Sequence, residues 1–284
     1  MFLKTLLRKY FLPIITNKGF IFDFCVIIYY NLGFFFYLYS KIFSKIYIGS
    51  YLFSDQEAGR ERQKEILKIV SKIKNKNIDI LEIGVFCGQT TINIIKSLKD
   101  KRISYNYYCV DIWKEYEVSK ILHDKRYQYF LRDLKSGNAF NLFKHNIRVL
   151  KKNKFTVNGN ILIRKMLSST FFKKNNKKFD LIILDASHLF KHISQDIYYS
   201  KKNIKNMGYI IGDDYEMESS KIKEKDLIKL KNFDVWFSKK YNFFFHPGVT
   251  LSVKKHFKNL KSNKGLFCVQ YSGRKFIDQF KSIN

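Results

Sequence analysis

Five short apolar runs, at 78–83, 106–111, 160–165, 179–185 and 207–212, alternate with stretches of helical periodicity, and this alternation constrains the chain more than any other feature. Helices are predicted over 55–74, 90–98, roughly 117–150, 189–204 and 249–260. In the first of them Ile66, Ile69, Val70 and Ile73 recur at helical spacing. Strand–helix alternation of this kind builds a parallel sheet covered on both faces. The expected fold class is therefore α/β: a Rossmann-like, doubly wound, mostly parallel sheet, preceded by an apolar helical extension. No internal repeat and no proline- or glycine-rich linker divides the region. With 284 residues, 46% of them hydrophobic, the chain can bury a sizeable core and is too apolar to be wholly disordered. Cys25, Cys87, Cys109 and Cys268 lie far apart with no CxxC pair, which argues against a disulfide framework or zinc ribbon and for a reducing, cytoplasmic setting.

Residues 1–53 read as a separate extension, and 54–284 as the domain. Lys4, Arg8 and Lys9 are set among apolar residues, and 19–39 is almost wholly apolar apart from Asp23 and Asn31. The clean run after Asp23 is shorter than the about 20 residues that a spanning helix needs. No small-residue cleavage site follows it, so it does not read as a signal peptide. Three placements stay open: a helix lying in the membrane interface at the inner face, a short span, or a subdomain packed on the core. The net charge of +29 would attract nucleic acid, anionic lipid or acidic glycan. Its lysines are spread along the whole chain, however, with no RNA-binding signature, so they read mainly as solvation and a nucleic-acid partner is not expected.

Three stretches carry chemistry. In IDILEIGVFCGQTTINIIKSL (78–98) a strand ends at Glu82, a turn holds Gly84 and Gly88, and a helix opens near Gln89. Glycines at this spacing let backbone approach a ligand beside the free amides of a helix start. The turn is neither a P-loop nor GxGxxG, since Phe86 stands inside it. In YNYYCVDIW, Asp111 closes the next strand, where a carboxylate either accepts ribose hydroxyls or caps a helix. In the third stretch the strand 181–184 delivers Asp185, with His188 three residues on, and the following strand delivers Asp213 and Asp214. Clustered carboxylates are costly without a cation or proton to balance them. Oxygen donors of this kind suit Mg²⁺, and an imidazole beside them suits removal of a hydroxyl proton.

Glu82-x-Gly84-x3-Gly88 with Asp111 resembles the cofactor-binding part of class I S-adenosylmethionine-dependent methyltransferases. LEIGVFCGQTT, VDIW, FNLFKHN, LDASH, GDDY and PGVTLSVKKHF, in this order over residues 60–270, resemble the branch known as methyltransferase family 24, related to macrocin-type sugar O-methyltransferases. The resemblance implies S-adenosylmethionine as cofactor and a hydroxyl acceptor on a sugar or glycoconjugate. A lipid-linked or phenolic acceptor is the alternative, and an RNA-binding methyltransferase a more distant one. It further implies that Gly84 and Gly88 shape the loop around the methionine moiety, with Glu82 near its amino group. Asp111 would hold the ribose, while Trp113 and Ser168 would lie near the adenine. Asp185, Asp213 and Asp214 match acids that bind Mg²⁺ in the macrocin-type relatives. There Gly-Asp commonly follows the first acid, whereas here Ala186-Ser187-His188 follows. That difference leaves metal dependence open and makes His188, beside Asp185, the candidate base. Phe143 and Asn146 are expected to close the substrate side, and 217–246 to form a cap that selects the acceptor. His246, just before Pro247-Gly248-Val249, is expected in a turn, with a place facing the pocket as the alternative, and His123, His145, His192 and His256 show no metal-ligand spacing.

Overall fold

The structure, a computed structural model, describes residues 20–48, 56–114 and 131–281. β1 (Asn77–Ile83), β2 (Ser104–Asp111), β3 (Gly159–Lys165), β4 (Phe179–Leu184) and β5 (Ile204–Gly212) pair in parallel in the order β3-β2-β1-β4-β5. Beyond β5 a two-stranded ribbon, β6 (Trp236–Ser238) and β7 (Phe243–Phe245), stands apart from the sheet. β8 (Phe267–Tyr271) then returns antiparallel to β5, and β9 (Phe276–Asp278) pairs antiparallel with β8, which completes seven strands. β4 is buried along its whole length, as a central strand covered on both faces must be.

The helices are α1 (Phe20–Ile42), α2 (Gln56–Lys72), α3 (Gln89–Asp100), α4 (Asn138–Lys152), α5 (Ser168–Lys174), α6 (Phe190–Asn203), α7 (Glu224–Leu230) and α8 (Pro247–Phe257). Alternate strand residues point to opposite faces, so two cores form. Ile78, Ile80, Tyr107 and Cys109 pack with α2, α3 and α4. Leu81, Ile83, Val110 and Ile182 pack with α5, α6 and α8. Strand order reverses between β1 and β4, which opens a crevice at the carboxyl ends of these two strands.

The five parallel strands lie where the apolar runs place them. The helix expected over 117–150 is instead interrupted at Ser136–Gly137, where Gly137 takes φ 75° before α4 begins, while 115–130 lies outside the described residues. The ribbon strands and β9, three residues each, are too short to carry a periodic signal.

The assigned boundary at residue 53 falls in 49–55, outside the described residues, but the end of the extension is joined to the domain. Tyr47 belongs to the first core, with Phe36 and Tyr37 packed against it. Ser40 Oγ lies 3.3 Å from His145 Nε2, which also meets Lys45 O at 2.9 Å. On the other side of α1, Phe34 and Phe35 remain 66% and 63% exposed. Among the described residues, no helix is long and apolar enough to cross a membrane.

Candidate active site

β1 ends in a turn whose shape is set by its neighbours. At Gly84, φ is 85°, and a Cβ would lie 1.9 Å from the Asp185 carbonyl oxygen. Only glycine allows β1 and β4 to close up here, with Asp185 N donating to Ile83 O at 2.8 Å. Gly88, at φ 83°, precedes α3, and a Cβ on it would come within 2.7 Å of the Phe143 ring. Asp111 holds the turn from β2: Oδ2 accepts the amides of Val85 (2.8 Å) and Phe86 (2.9 Å), and Oδ1 accepts that of Trp113 (2.7 Å). Phe86 and Trp113 take φ 48° and 45°, strained values for bulky residues that these hydrogen bonds help to hold. A carboxylate offers about four acceptor positions, so Asp111 Oδ1 retains room for roughly one further donor.

Glu82 is only 2% exposed. Its Oε2 accepts the hydroxyls of Thr91 and Tyr107, each at 2.6 Å. Burial pushes its pKa up to about 7 despite these donors. Trp113 does not present its ring to the crevice. It is 1% exposed, stacked on Phe143 with centroids 5.1 Å apart, and its indole N–H donates to Phe86 O at 2.7 Å. It braces the turn from the core side. Ser168 opens α5 and hydrogen-bonds Asp196 of α6, whose pKa burial pushes up to about 7.

Across the crevice, β4 and β5 bring Asp185, Asp213 and Asp214 together, with one oxygen of each within 4.8 Å of the others. Asp185 is exposed. Desolvation in the crevice, then the charges of Asp213 and Asp214, raise its proton affinity well above the usual range. Burial and the Asp214 charge push Asp213 up to about 7. Burial also opposes ionisation of Asp214, but His246, His188 and Arg62 outweigh it and hold this carboxyl well below the ordinary range. His188 is committed on both ring nitrogens: Nε2 meets Asp214 Oδ2 at 2.8 Å, and Nδ1 meets Asp234 Oδ1 at 3.0 Å. Although burial disfavours the imidazolium, these two carboxylates raise the pKa of His188 well above the usual value. Its ring sits 4.3 Å from that of His246, whose Nδ1 meets Glu216 Oε2 at 3.1 Å. Arg62 of α2 completes the cluster with ion pairs to Asp213, Asp214 and Glu216.

The sequence reading missed Arg62, Glu216 and Asp234 and, for His246, favoured a turn role over a place facing the pocket. Arg62 had a readable signal, because positions 62, 66, 69 and 73 lie on one helix face and the arginine continues an otherwise apolar stripe. Asp234 had none. It comes from the cap, whose Met217, Leu227 and Phe245 form a small core with Leu251 of α8. His145, His192 and His256 make structural hydrogen bonds, the last two to Ser187 and Ser194, and His123 lies outside the described residues.

A parallel sheet in this order, with an antiparallel strand beside β5 and a glycine turn at the reversal, defines the class I methyltransferase fold. Residues 81–215 match the sequence model of a family described as a methyltransferase domain. No curated protein matches the chain. Similar solved structures include an O-methyltransferase from Bacillus cereus in complex with SAH, 15% identical, covering 72% of this chain and 68% of its own, with a TM-score of 0.39. A second is the O-methyltransferase TomG from Streptomyces achromogenes, involved in tomaymycin synthesis, at 13% identity, 54% and 56% coverage and a TM-score of 0.34. A third is the O-methyltransferase NovP, at 16% identity, 55% and 66% coverage and a TM-score of 0.39. The chain thus spans little more than half to two thirds of the length of these structures, from 56% to 68%.

Proposed function

We propose that this protein is an S-adenosylmethionine-dependent O-methyltransferase acting on a hydroxyl of a sugar or glycoconjugate. The observation that carries this reading is the pairing, across one crevice, of the Gly84–Gly88 turn held by Asp111 with the cluster around Asp185. The donor fits the residues present. α3 begins with no side-chain cap and no acid in its first turn, so its positive end suits the donor's carboxylate. Asp111 Oδ1 suits a ribose hydroxyl, and Glu82 stands beneath the turn on the methionine side. When bound, the cofactor supplies a sulfonium-activated methyl group.

The chain's own residues align the acceptor and manage its proton. In-line displacement rewards alignment above all. Asp185, exposed and with raised proton affinity, accepts the hydroxyl proton as the oxygen becomes the nucleophile. His188 has both ring nitrogens tied to carboxylates, so it serves as an imidazolium that fixes Asp214 beside Asp185 rather than as the base. The cap supports a sugar acceptor. Phe237 and Phe244 are exposed on the ribbon with ring centroids 4.9 Å apart, and such flat apolar faces suit the C–H face of a sugar ring. Transfer of a labelled methyl group to a panel of glycans, lipid-linked sugars and phenols tests the proposal. Labelling of phenols alone would overturn the sugar assignment, and no SAH binding by calorimetry would overturn the enzyme.

We further propose that α1 lies on a membrane surface. Phe24, Ile28, Leu32, Phe35 and Ile42 are exposed along it, while Lys41 and Lys45 sit over the Tyr37 and Tyr39 rings at 4.4 and 4.9 Å from their centroids. Flotation with anionic vesicles should be lost when Phe34, Phe35 and Leu38 become serine. Equal flotation of both proteins would refute this placement.

A further inference from the structure

We infer that Arg62 is the resident cation of the Asp213–Asp214–Glu216 cluster and that this position does not take a divalent metal ion. The inference rests on reading the cluster as part of the active site, but its geometry stands independently of the acceptor.

The guanidinium sits in a built socket. Nε donates to Lys264 O at 2.9 Å, Nη1 reaches Asp213 Oδ1 at 2.8 Å and Asp214 Oδ1 at 3.0 Å, and Nη2 reaches Glu216 Oε1 at 3.2 Å. All three nitrogens are therefore used, in the forked arrangement that arginine offers and lysine does not. The socket has no spare room on its far side, since a Cβ on Gly265 would come 2.6 Å from Nη2. α2 is anchored one turn further on by Ile66, Ile69 and Val70 in the first core, which holds the arginine in place.

Asp185, Asp213 and Asp214 have the oxygen chemistry of a hard-ion site, yet they do not fit one as arranged. Both oxygens of Asp214 are already engaged, Oδ1 by Arg62 and Oδ2 by His188 Nε2 at 2.8 Å. Oδ1 of Asp213 accepts from Arg62 and from the Asp214 amide at 2.7 Å. A divalent ion between these carboxylates would face a fixed guanidinium and the His188 ring, held from behind by Asp234. Binding through Asp213 Oδ1 and Asp214 Oδ1 would displace the arginine from both. Among the described residues, no ion pair reaches Asp185, so Arg62 neutralises the inner acids and leaves the outer one to the substrate.

The experiment titrates Mn²⁺ into the full-length protein and counts bound ion by electron paramagnetic resonance. The wild type and the Arg62→Lys, Arg62→Gln and Arg62→Ala variants are compared, with circular dichroism to establish folding. The wild type should take up no stoichiometric Mn²⁺, and chelator should leave its melting temperature unchanged. Arg62→Gln and Arg62→Ala should bind Mn²⁺ at least about tenfold more tightly than wild type, because the competing charge is gone. Arg62→Lys, which keeps the charge, should remain close to wild type. One Mn²⁺ bound by the wild type would overturn the inference, as would folded Gln and Ala variants that bind no better. If Ala does not fold, Gln against Lys decides. Metal uptake is read without any acceptor, so a failed acceptor assignment leaves this result intact.

Discussion

Asn146 should be among the most costly side chains to remove, because one amide ties together three segments distant in sequence. It lies mid-way along α4 at 0% exposure. Its Oδ1 accepts Tyr47 N at 2.9 Å, and its Nδ2 donates to Tyr47 O at 2.8 Å and Cys87 O at 2.9 Å. Asn146→Ala leaves one buried donor and two buried acceptors without these partners. Each such group costs about 1–3 kcal/mol when water cannot replace the bond, so a loss of about 3–5 kcal/mol is expected after partial relaxation. That is a large part of the about 5–15 kcal/mol available to an ordinary domain. Urea unfolding should show a lower midpoint at unchanged slope. Calorimetry should show weaker SAH binding, because Cys87 lies inside the Gly84–Gly88 turn. Asn146→Asp, which keeps the acceptor but sets an oxygen against two carbonyls, should be destabilised similarly. A loss under about 1 kcal/mol with unchanged SAH affinity would refute the reasoning, since surface substitutions do as much.

Asp111→Ala releases three backbone amides as well as a ribose acceptor, so SAH affinity should fall by at least about tenfold in calorimetry, with Asp111→Asn intermediate. Asp185→Asn should abolish methyl transfer while SAH still binds, and activity retained in that variant would remove Asp185 as the base. Asp196 has a folded pKa raised to about 7 from 3.8. Its unfolded form therefore ionises first as pH rises, and its contribution is fully present below 3.8 and lost as pH climbs through 7. At about pH 8 that difference approaches roughly 4 kcal/mol, so Asp196→Asn should melt higher than wild type there and lose the advantage near about pH 4.

The parallel sheet was legible because a central strand must be apolar on both faces, as the run 179–184 shows, and because the acids that end strands stand out against such runs. Glu82, Asp111, Asp185, Asp213 and Asp214 were found in that way. Gly84 and Gly88 were found as glycines, but the structure adds their neighbours, the Asp185 backbone and the Phe143 ring. Trp113 was readable as a residue at the turn, whereas which side of the turn its ring would take depends on Phe140 and Phe143, which arrive from α4.

What the chain determines locally is hydrophobic period and the residue type at each strand end, since these act within a few residues. The charge balance of the site lies beyond that range. Arg62 meets Asp214 across 152 positions, and Asp234 meets His188 across 46, so their pairing depends on how α2 and the cap pack onto the finished sheet. The commitment of the His188 imidazole depends on that packing too, because both ring nitrogens meet carboxylates only once Asp214 and Asp234 have closed on it.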